Sequence, residues 1–272
     1  MRCERAMRKQ AIGVIVVLAV IGGLLGCHGS SGRFMTNARQ NRGLVVILPG
    51  IEGPGALSDD IVKGLDAAGV PYALKVQGWG RPVPLAGMLL NQVDVLGNRV
   101  ASKRIANTII DYQDRHPGAP VYLLGHSGGG GIAIFVAEAL PPGRRVDGVI
   151  LLSPSISDGY DLSKALGHTR KGVVNFWSPE DVGLLVFGTS IVGNMDGAHS
   201  PAAGASGFHK TTGPASLFGK LYQVQWNESM AQSGNSGGHM DSTNSRFVTA
   251  WIAPWVTAAD WPAPPVNSNA PG

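Results

Sequence analysis

A single serine set among glycines, in the run YLLGHSGGGGI of residues 122–132, restricts the fold more than any other feature of the sequence. A glycine inside a helix costs about 1 kcal/mol relative to alanine, so four in succession at 128–131 need a steric reason. An apolar stretch precedes Ser127, and residues at helical spacing follow the glycines as far as Leu140. This order predicts a tight turn between a buried strand and a helix, with Ser127 in the turn.

Short apolar runs alternate with helical patterns along most of the chain. Several runs lack alternating polar positions, as expected of parallel strands covered on both faces. The predicted strands are residues 44–50, 72–79, 121–127, 146–155, 172–178 and 221–227. Helices are predicted from a serine cap at Ser58 to Gly69, over residues 101–117, and after the glycine run. The predicted fold class is therefore α/β, with a mostly parallel central sheet flanked by helices that binds ligands at the carboxyl ends of its strands.

Gly125, Ser127 and Gly129 fit the pattern G-x-S-x-G, which between a strand and a helix holds the serine side chain out at the top of the sheet. Glycine two residues to either side relieves the crowding of such a turn. Two other interpretations remain open, an ordinary glycine-rich connection and a dinucleotide-binding loop, since residues 128–133 also satisfy G-x-G-x-x-A. The second needs an acidic residue at the end of the next strand, where the sequence reads LLSPS.

A serine hydroxyl becomes a nucleophile when a base takes its proton and an acid orients that base. In proteins with this turn the partners follow in the order serine, acid, histidine. His239 is the predicted base because it follows the last predicted strand. Three other downstream histidines precede that strand, namely His168, His199 and His209. His126 points away from its neighbouring serine in such a turn and is predicted to line or brace the site.

Asp181 is the predicted acid because it lies just beyond the last strand but one, where a carboxylate can reach His239. Glu180, Asp158 and Asp196 are the alternatives. Acyl transfer also needs donors for the developing oxyanion. The first predicted donor is the backbone N–H of Gly128. The second comes from the loop LPGIEGPG after the first predicted strand, with Ile51 predicted and Glu52 as the alternative.

From residues 43 to 256 the chain resembles the α/β-hydrolase superfamily, and its GHSGG turn is similar to that of lipases and esterases. The resemblance implies a cofactor-free acyl-enzyme mechanism with Ser127 as nucleophile, Asp181 as acid, His239 as base, and Ile51 with Gly128 as oxyanion donors. A serine nucleophile argues against dehalogenase or epoxide hydrolase chemistry. The loop PGIEG departs from the His-Gly of many members, and two early strands of the family are not visible in the sequence. No metal-ligand spacing such as H-E-x-x-H occurs, so no metal is expected.

The N-terminal segment has the layout of a secretory signal, with four basic residues before an apolar run at 11–26 that is short and glycine-rich for a membrane span. The run ends in LLGC, which resembles the lipobox of bacterial lipoproteins, where the cysteine is lipidated and becomes the new N-terminus. The resemblance implies lipidation of Cys27 and anchoring in the cell envelope. A plain signal peptide or an uncleaved anchor is the alternative. His28 after the cysteine, in place of an aspartate, slightly favours the outer membrane.

Removal of residues 1–26 would take away four of the 22 basic and one of the 18 acidic residues, leaving 18 minus 17, or +1. A surface that binds nucleic acid needs clustered positive charge, so no nucleic-acid partner is predicted. Cys3 is the only other cysteine and lies in the leader, so a mature chain would have no disulfide. The stability of the mature chain must therefore come from a hydrophobic core.

The predicted organisation is a signal peptide at 1–26, a lipidated tether at 27–42, one hydrolase domain at 43–258 and a disordered Pro-rich tail at 259–272. The short segment 155–171 leaves no room there for a large cap domain. Residues 182–219 and 83–97 are candidates for a lid or an acyl-binding wall. The predicted activity is hydrolysis of small-molecule or lipid esters, with a thioesterase, a peptidase or amidase, or a non-catalytic binding lipoprotein as alternatives. No obligate protein partner is evident from the sequence.

Overall fold

A central parallel sheet organises the computed structural model, which describes residues 31–80, 91–181, 193–209 and 214–262. The strands are β1 Leu44–Leu48, β2 Ala73–Val76, β3 Val121–His126, β4 Val146–Leu152, β5 Thr169–Trp177 and β6 Leu221–Gln225. Their order across the sheet is β2-β1-β3-β4-β5-β6, and every neighbouring pair is parallel. Each predicted strand is thus present, and the predicted fold class is confirmed.

The apolar runs lack alternation because both faces of the sheet are covered. Every residue of β1, β3 and β4 is buried. The residues of the two faces fall into separate hydrophobic clusters, with Leu123 and Val149 in one and Leu124 and Ile150 in the other. This is the layered core of an α/β protein.

A helix lies between each pair of successive strands, as the alternation predicts, and further helices precede β1 and follow β6. Those with both ends among the described residues are α1 Ser31–Phe34, α2 Asn37–Gln40, α3 Ala56–Ala67, α4 Val95–Arg115, α5 Gly128–Ala139, α6 Ser163–Gly167, α7 Ala203–Ser206, α8 Ala215–Phe218, α9 Ser245–Phe247 and α10 Ala253–Thr257. A π turn at Val248–Ile252 joins the last two, and 3-10 turns occupy Glu228–Ser233 and Asp241–Thr243. Helices α4 and α5 pack on one face of the sheet, while α3 and the C-terminal helical segment pack on the other.

The carboxyl ends of the central strands meet at one edge, which positions the loops of the candidate site. In the ladder, Leu48 pairs with Gly125, His126 with Leu152, and Leu152 with Phe176. The residues that follow these strands therefore lie side by side.

Two predicted helix starts are wrong. Helix α3 begins at Ala56, and Ser58 is its third residue, where the hydroxyl accepts the Gly55 N–H at 3.0 Å instead of capping from outside the helix. Helix α4 begins at Val95 with Asp94 as its cap, six residues before the predicted start. A carboxylate that accepts the N–H of Gly97 satisfies the first turn, so the helix can begin there despite the glycine.

Part of each predicted flanking segment is folded. Residues 31–41, within the predicted tether, include α1 and α2, where Phe34 is buried and Arg39 binds Asp66. In the predicted tail, Trp261 packs edge-on against Tyr222 and donates to the carbonyl of Trp255. The boundaries at 43 and 258 therefore exclude residues that belong to the packed domain.

The predicted signal peptide, Cys27 and most of the Pro-rich tail lie outside the described residues. Within the described ranges, none of the helices is both long enough and apolar enough to cross a bilayer.

Candidate active site

Ser127 occupies a strained turn between β3 and α5. Its φ of 53° and ψ of −124° lie in a region that a non-glycine residue enters at a cost of about 1–3 kcal/mol. The turn holds together because the Ser127 N–H donates to the carbonyl of Leu152, while its own carbonyl accepts the N–H groups of Gly130 and Ser155. The strand-to-helix turn predicted from the glycine pattern is therefore present.

The glycines around Ser127 are required by close backbone contacts. A Cβ on Gly129 would lie 2.1 Å from the carbonyl oxygen of Leu48, and one on Gly125 would lie 2.3 Å from the carbonyl oxygen of Gly129. Further along, a Cβ on Gly130 would meet Pro154 at 2.6 Å, and one on Gly131 would meet Met195 at 2.7 Å. Close packing against neighbouring backbone and side chains therefore explains the glycine run without a dinucleotide phosphate.

His239 and Asp181 form a buried pair at the same edge of the sheet. The Nδ1–H of His239 donates to Oδ2 of Asp181 at 2.9 Å, and the two side chains are 8% and 1% exposed. Burial raises the pKa of Asp181, while the hydrogen bond from His239 and its charge lower that pKa and partly offset the burial. With Nδ1 held by the carboxylate, Nε2 is the ring nitrogen left to act as a base.

Each member of the pair is placed by a short loop after a strand. Asp181 follows β5 through a turn in which its N–H donates to the carbonyl of Ser178. His239 follows β6 in a loop that Asp241 organises by accepting the N–H groups of Ser236 and Gly238. Both loops are therefore fixed by local hydrogen bonds.

Ser127 lies at the site without a hydrogen bond from its hydroxyl to the ring of His239. Among the described residues the ring of the predicted base is hydrogen-bonded to Asp181 alone. Nucleophile–base hydrogen bonds are often long until substrate binds, so this arrangement is compatible with catalysis. The catalytic roles of Ser127, Asp181 and His239 stay predictions.

His126 connects the serine turn to the histidine loop, in the bracing position predicted for it. The Nε2 of His126 is 3.2 Å from the carbonyl oxygen of His239, and the two rings are 5.0 Å apart. Burial and the neighbouring His239 lower the pKa of His126 to about 3. The ring is therefore neutral at ordinary pH, and the accepting carbonyl assigns its hydrogen to Nε2.

The two predicted oxyanion donors come from neighbouring segments. The side chain of Ile51 approaches to 3.0 Å of where a Cβ on Gly128 would lie. Within the described part of the chain, no hydrogen bond uses the N–H of either residue. Glu52, the alternative, folds its carboxylate back to accept the Gly50 N–H at 3.1 Å. Removal from water raises the pKa of Glu52, and the nearby His239 lowers it.

The alternative acids and bases have other partners or face solvent. Asp158 pairs with His209, Asp196 accepts from Ser157, and Glu180 is exposed. His168 bonds the carbonyl of Arg144, near the start of β4, and His199 lies beside Gly193. None of these acids is hydrogen-bonded to His239 among the described residues.

Two walls of the site come from Trp79, at the end of the predicted strand 72–79, and from Met195, in the predicted lid or wall segment 182–219. Trp79 and Met195 each come within 3.3 Å of where a Cβ on Gly128 would lie. Trp79 also lines a cavity of about 440 Å³ that runs along α4 to Arg104. The rest of the predicted lid and border, residues 83–90, 182–192 and 210–213, lies outside the described residues.

Ser153 and Ser242 also contact the site, although no sequence pattern marks either residue. Ser242 donates to the carbonyl of His239 at 3.1 Å, and the hydroxyls of Ser153 and Ser242 are 3.3 Å apart. A serine in a loop has no sequence pattern that marks it as a site residue, so these two are identified only from their contacts in the folded chain.

Comparison with known structures finds chains of similar fold. Lipase B of Aspergillus fumigatus is 16% identical with a TM-score of 0.50, over 86% of this chain and 56% of that one. Monoacylglycerol lipase of Paleococcus ferrophilus is 15% identical (TM-score 0.46, 79% and 94% covered), and a carboxylesterase of Mesorhizobium loti is 17% identical (TM-score 0.41, 78% and 88% covered). The chain thus spans little more than half the length of lipase B. These likenesses concern the fold alone.

No curated protein matches the sequence. A family model described as serine aminopeptidase, S33, matches residues 39–180, which is 142 of the 272 residues. The matched range includes β1 to β5 and the Ser127 turn, and it ends one residue before Asp181. The chain belongs to the serine aminopeptidase S33 family and has the α/β-hydrolase fold.

Proposed function

We propose that this protein is a serine hydrolase that cleaves carboxylic esters through an acyl-enzyme, with Ser127 as nucleophile, His239 as base and Asp181 as orienting acid. The observation that carries the proposal is a strained serine on a strand-to-helix turn, at the same sheet edge as a buried histidine–aspartate pair. Strain of this kind persists where the surrounding structure holds it, and it concentrates at functional sites.

In the proposed reaction His239 Nε2 takes the Ser127 hydroxyl proton while Oγ attacks the ester carbonyl carbon. The imidazolium that forms is stabilised by the Asp181 carboxylate through Nδ1–H. Collapse of the tetrahedral intermediate breaks the bond to the alcohol, which leaves with the proton from Nε2. Water then attacks the acyl-enzyme with the same base, releasing the acid and restoring Ser127.

The N–H groups of Gly128 and Ile51 are the proposed donors to the carbonyl oxygen as it becomes negative. Donors of this kind are each worth about 10²- to 10³-fold in rate. Gly128 begins α5, so its N–H has no acceptor within the helix and lies at the positive end of the helix dipole. We assign the acyl or alcohol group to the cavity lined by Trp79, which is of a size that small-molecule sites commonly have.

A second candidate activity, release of an N-terminal amino acid, is favoured by the family description as a serine aminopeptidase. The carboxyl of Glu52 gives it a chemical basis, because it lies near enough to His239 for their charges to interact. An ionised Glu52 there would attract the ammonium group of an amino-acyl substrate.

We also propose that the chain is exported and anchored through a lipid on Cys27, as its LLGC sequence implies. The folded residues that follow, 31–43, pack beside Tyr72 and Pro120, which precede β2 and β3. They lie at the amino edge of the sheet, whereas Ser127 lies at the carboxyl edge. The proposed anchor would therefore leave the site facing away from the membrane.

The test exposes the wild-type protein and Ser127→Ala to a fluorophosphonate probe, then measures hydrolysis of p-nitrophenyl esters of increasing chain length, a thioester and amino-acyl p-nitroanilides. We expect labelling that Ser127→Ala abolishes, and faster turnover of esters. Faster turnover of amino-acyl anilides, lost in Glu52→Gln, would establish the aminopeptidase instead. Neither labelling nor turnover in the wild type would overturn both and leave a binding protein.

A further inference from the structure

Ser153 shares an unusual backbone conformation with Ser127. Its φ is 45°, and these two are the only non-glycine residues with positive φ among the described ranges. Serine has no intrinsic preference for this region, so something in the structure must favour it there. Ser153 immediately follows β4, is 3% exposed, and donates its N–H to the carbonyl of Phe176 in the adjacent strand β5.

The Ser153 hydroxyl lies near both parts of the histidine–aspartate pair. Its oxygen is 3.3 Å from that of Ser242, which donates to the carbonyl of His239. Burial raises the pKa of Asp181, and the Ser153 hydroxyl is near enough to lower that pKa, although its oxygen makes no hydrogen bond to the carboxylate in this structure. A glycine would accept the backbone conformation more readily, but it would supply no hydroxyl to either neighbour.

Asp181 has an acceptor that still needs a donor. Its Oδ2 accepts from His239, but Oδ1 is buried and has no hydrogen-bond partner among the described residues. A buried carboxylate oxygen without a donor is costly, and such groups in folded proteins are normally satisfied. The Ser153 hydroxyl donates to Ser242 in this structure, and a small rotation of its side chain would turn it toward Asp181 instead.

We propose that Ser153 is a positioning residue, which donates to Oδ1 of Asp181 and so fixes the carboxylate that orients His239. The strained backbone is retained because it aims the hydroxyl between Asp181 and Ser242. The kinetic part of this inference rests on the proposed function, whereas the hydrogen bond itself does not.

The test compares Ser153→Ala and Ser153→Gly, which both remove the hydroxyl, while only glycine relaxes the strained backbone. We expect both to lower kcat by about tenfold to a hundredfold with KM within twofold, because a misoriented base slows the chemical step. Ser102→Ala is the matched control for the hydrogen bond, since it removes a buried hydroxyl that donates to the carbonyl of Asn98 and to neither Asp181 nor His239.

A readout independent of turnover separates this inference from the proposed function. The proton between His239 Nδ1 and Asp181 gives a low-field NMR signal, assigned by its loss in His239→Ala. We expect that signal to shift in Ser153→Ala and Ser153→Gly and to stay unchanged in Ser102→Ala. An unchanged signal, or a Ser153→Gly variant with kcat within twofold of wild type, would overturn the positioning role. A shifted signal in a protein that turns over no substrate would support the hydrogen bond while the proposed function failed.

Discussion

The imidazole of His126 donates from Nε2 to the carbonyl oxygen of His239, across 3.2 Å and between segments 113 residues apart in the chain. The residue that precedes the proposed nucleophile therefore holds the loop that carries the proposed base. Ser242 donates to the same carbonyl at 3.1 Å. The backbone of His239 is thus fixed from two sides, and its ring is fixed by Asp181.

Replacing His126 tests whether its hydrogen bond to the carbonyl of His239 positions that residue. His126→Gln keeps an N–H donor of similar reach, whereas His126→Leu removes it and leaves the carbonyl with one donor fewer. We expect Gln to retain kcat within about fivefold and Leu to lose about a hundredfold, as misplacement of a catalytic group by about 1 Å can cost. Ester turnover under saturating substrate measures both. Equal activity in the two variants would mean that the hydrogen bond does not position His239.

The same side chain predicts a pH dependence of stability. The pKa of His126 falls to about 3 in the folded protein, while the unfolded chain protonates it near 6.5. Between these values the unfolded state binds one proton more, so stability decreases as pH falls, by up to about 1.4 kcal/mol per pH unit. We expect urea midpoints to drop between about pH 6.5 and 4 in the wild type, and less steeply in His126→Gln. Parallel curves for the two proteins would contradict this.

The sequence predicts the structure well where one local pattern determines it. It predicts less where residues far apart in the chain come into contact. The Ser127 turn follows from sterics within five residues, and strand order places Asp181 and His239 at one edge. Ser153 has no such local signature, since its role depends on packing between β4, β5 and the His239 loop. Trp261 looked like part of a disordered tail because its aromatic partner Tyr222 lies far away in sequence. Only tertiary contacts reveal such residues.

Gly129 should be the least replaceable glycine of the turn. A Cβ there would lie 2.1 Å from the backbone oxygen of Leu48, which no side-chain movement can relieve. We expect Gly129→Ala to lower the free energy of unfolding by at least about 3 kcal/mol or to prevent folding. Gly167→Ala is the control, because its Cβ would enter open space in a helix and should change stability by less than about 1 kcal/mol. Chemical denaturation measures both, and a stable Gly129→Ala would show that the turn can open.

Asp181→Asn tests the acid while keeping its shape. The amide cannot stabilise the imidazolium and can offer a hydrogen to Nδ1, which favours the wrong tautomer of His239. We expect kcat to fall by about 10⁴-fold, as in triads that lose their carboxylate in this way. Asp158→Asn is the matched control, since Asp158 pairs with His209 and should leave kcat unchanged. A larger loss of kcat in Asp158→Asn than in Asp181→Asn would indicate that Asp158 is the acid.

The proposed lipid on Cys27 leads to a prediction about which esters the protein can reach. Four residue steps separate Cys27 from Ser31, which span at most about 14 Å. The six residues of β3 alone extend about 20 Å from the amino edge of the sheet to Ser127. A lipidated protein therefore holds its site beyond the reach of esters in its own bilayer.

We expect vesicle-bound protein to cleave a soluble ester as fast as Cys27→Ser in solution, but to cleave a fluorogenic lipid ester in the same vesicle slowly. A flexible insert of about 30 residues after Cys27 should raise the second rate several-fold by letting the domain turn. Fast cleavage of the lipid ester without the insert would show that the site faces the membrane.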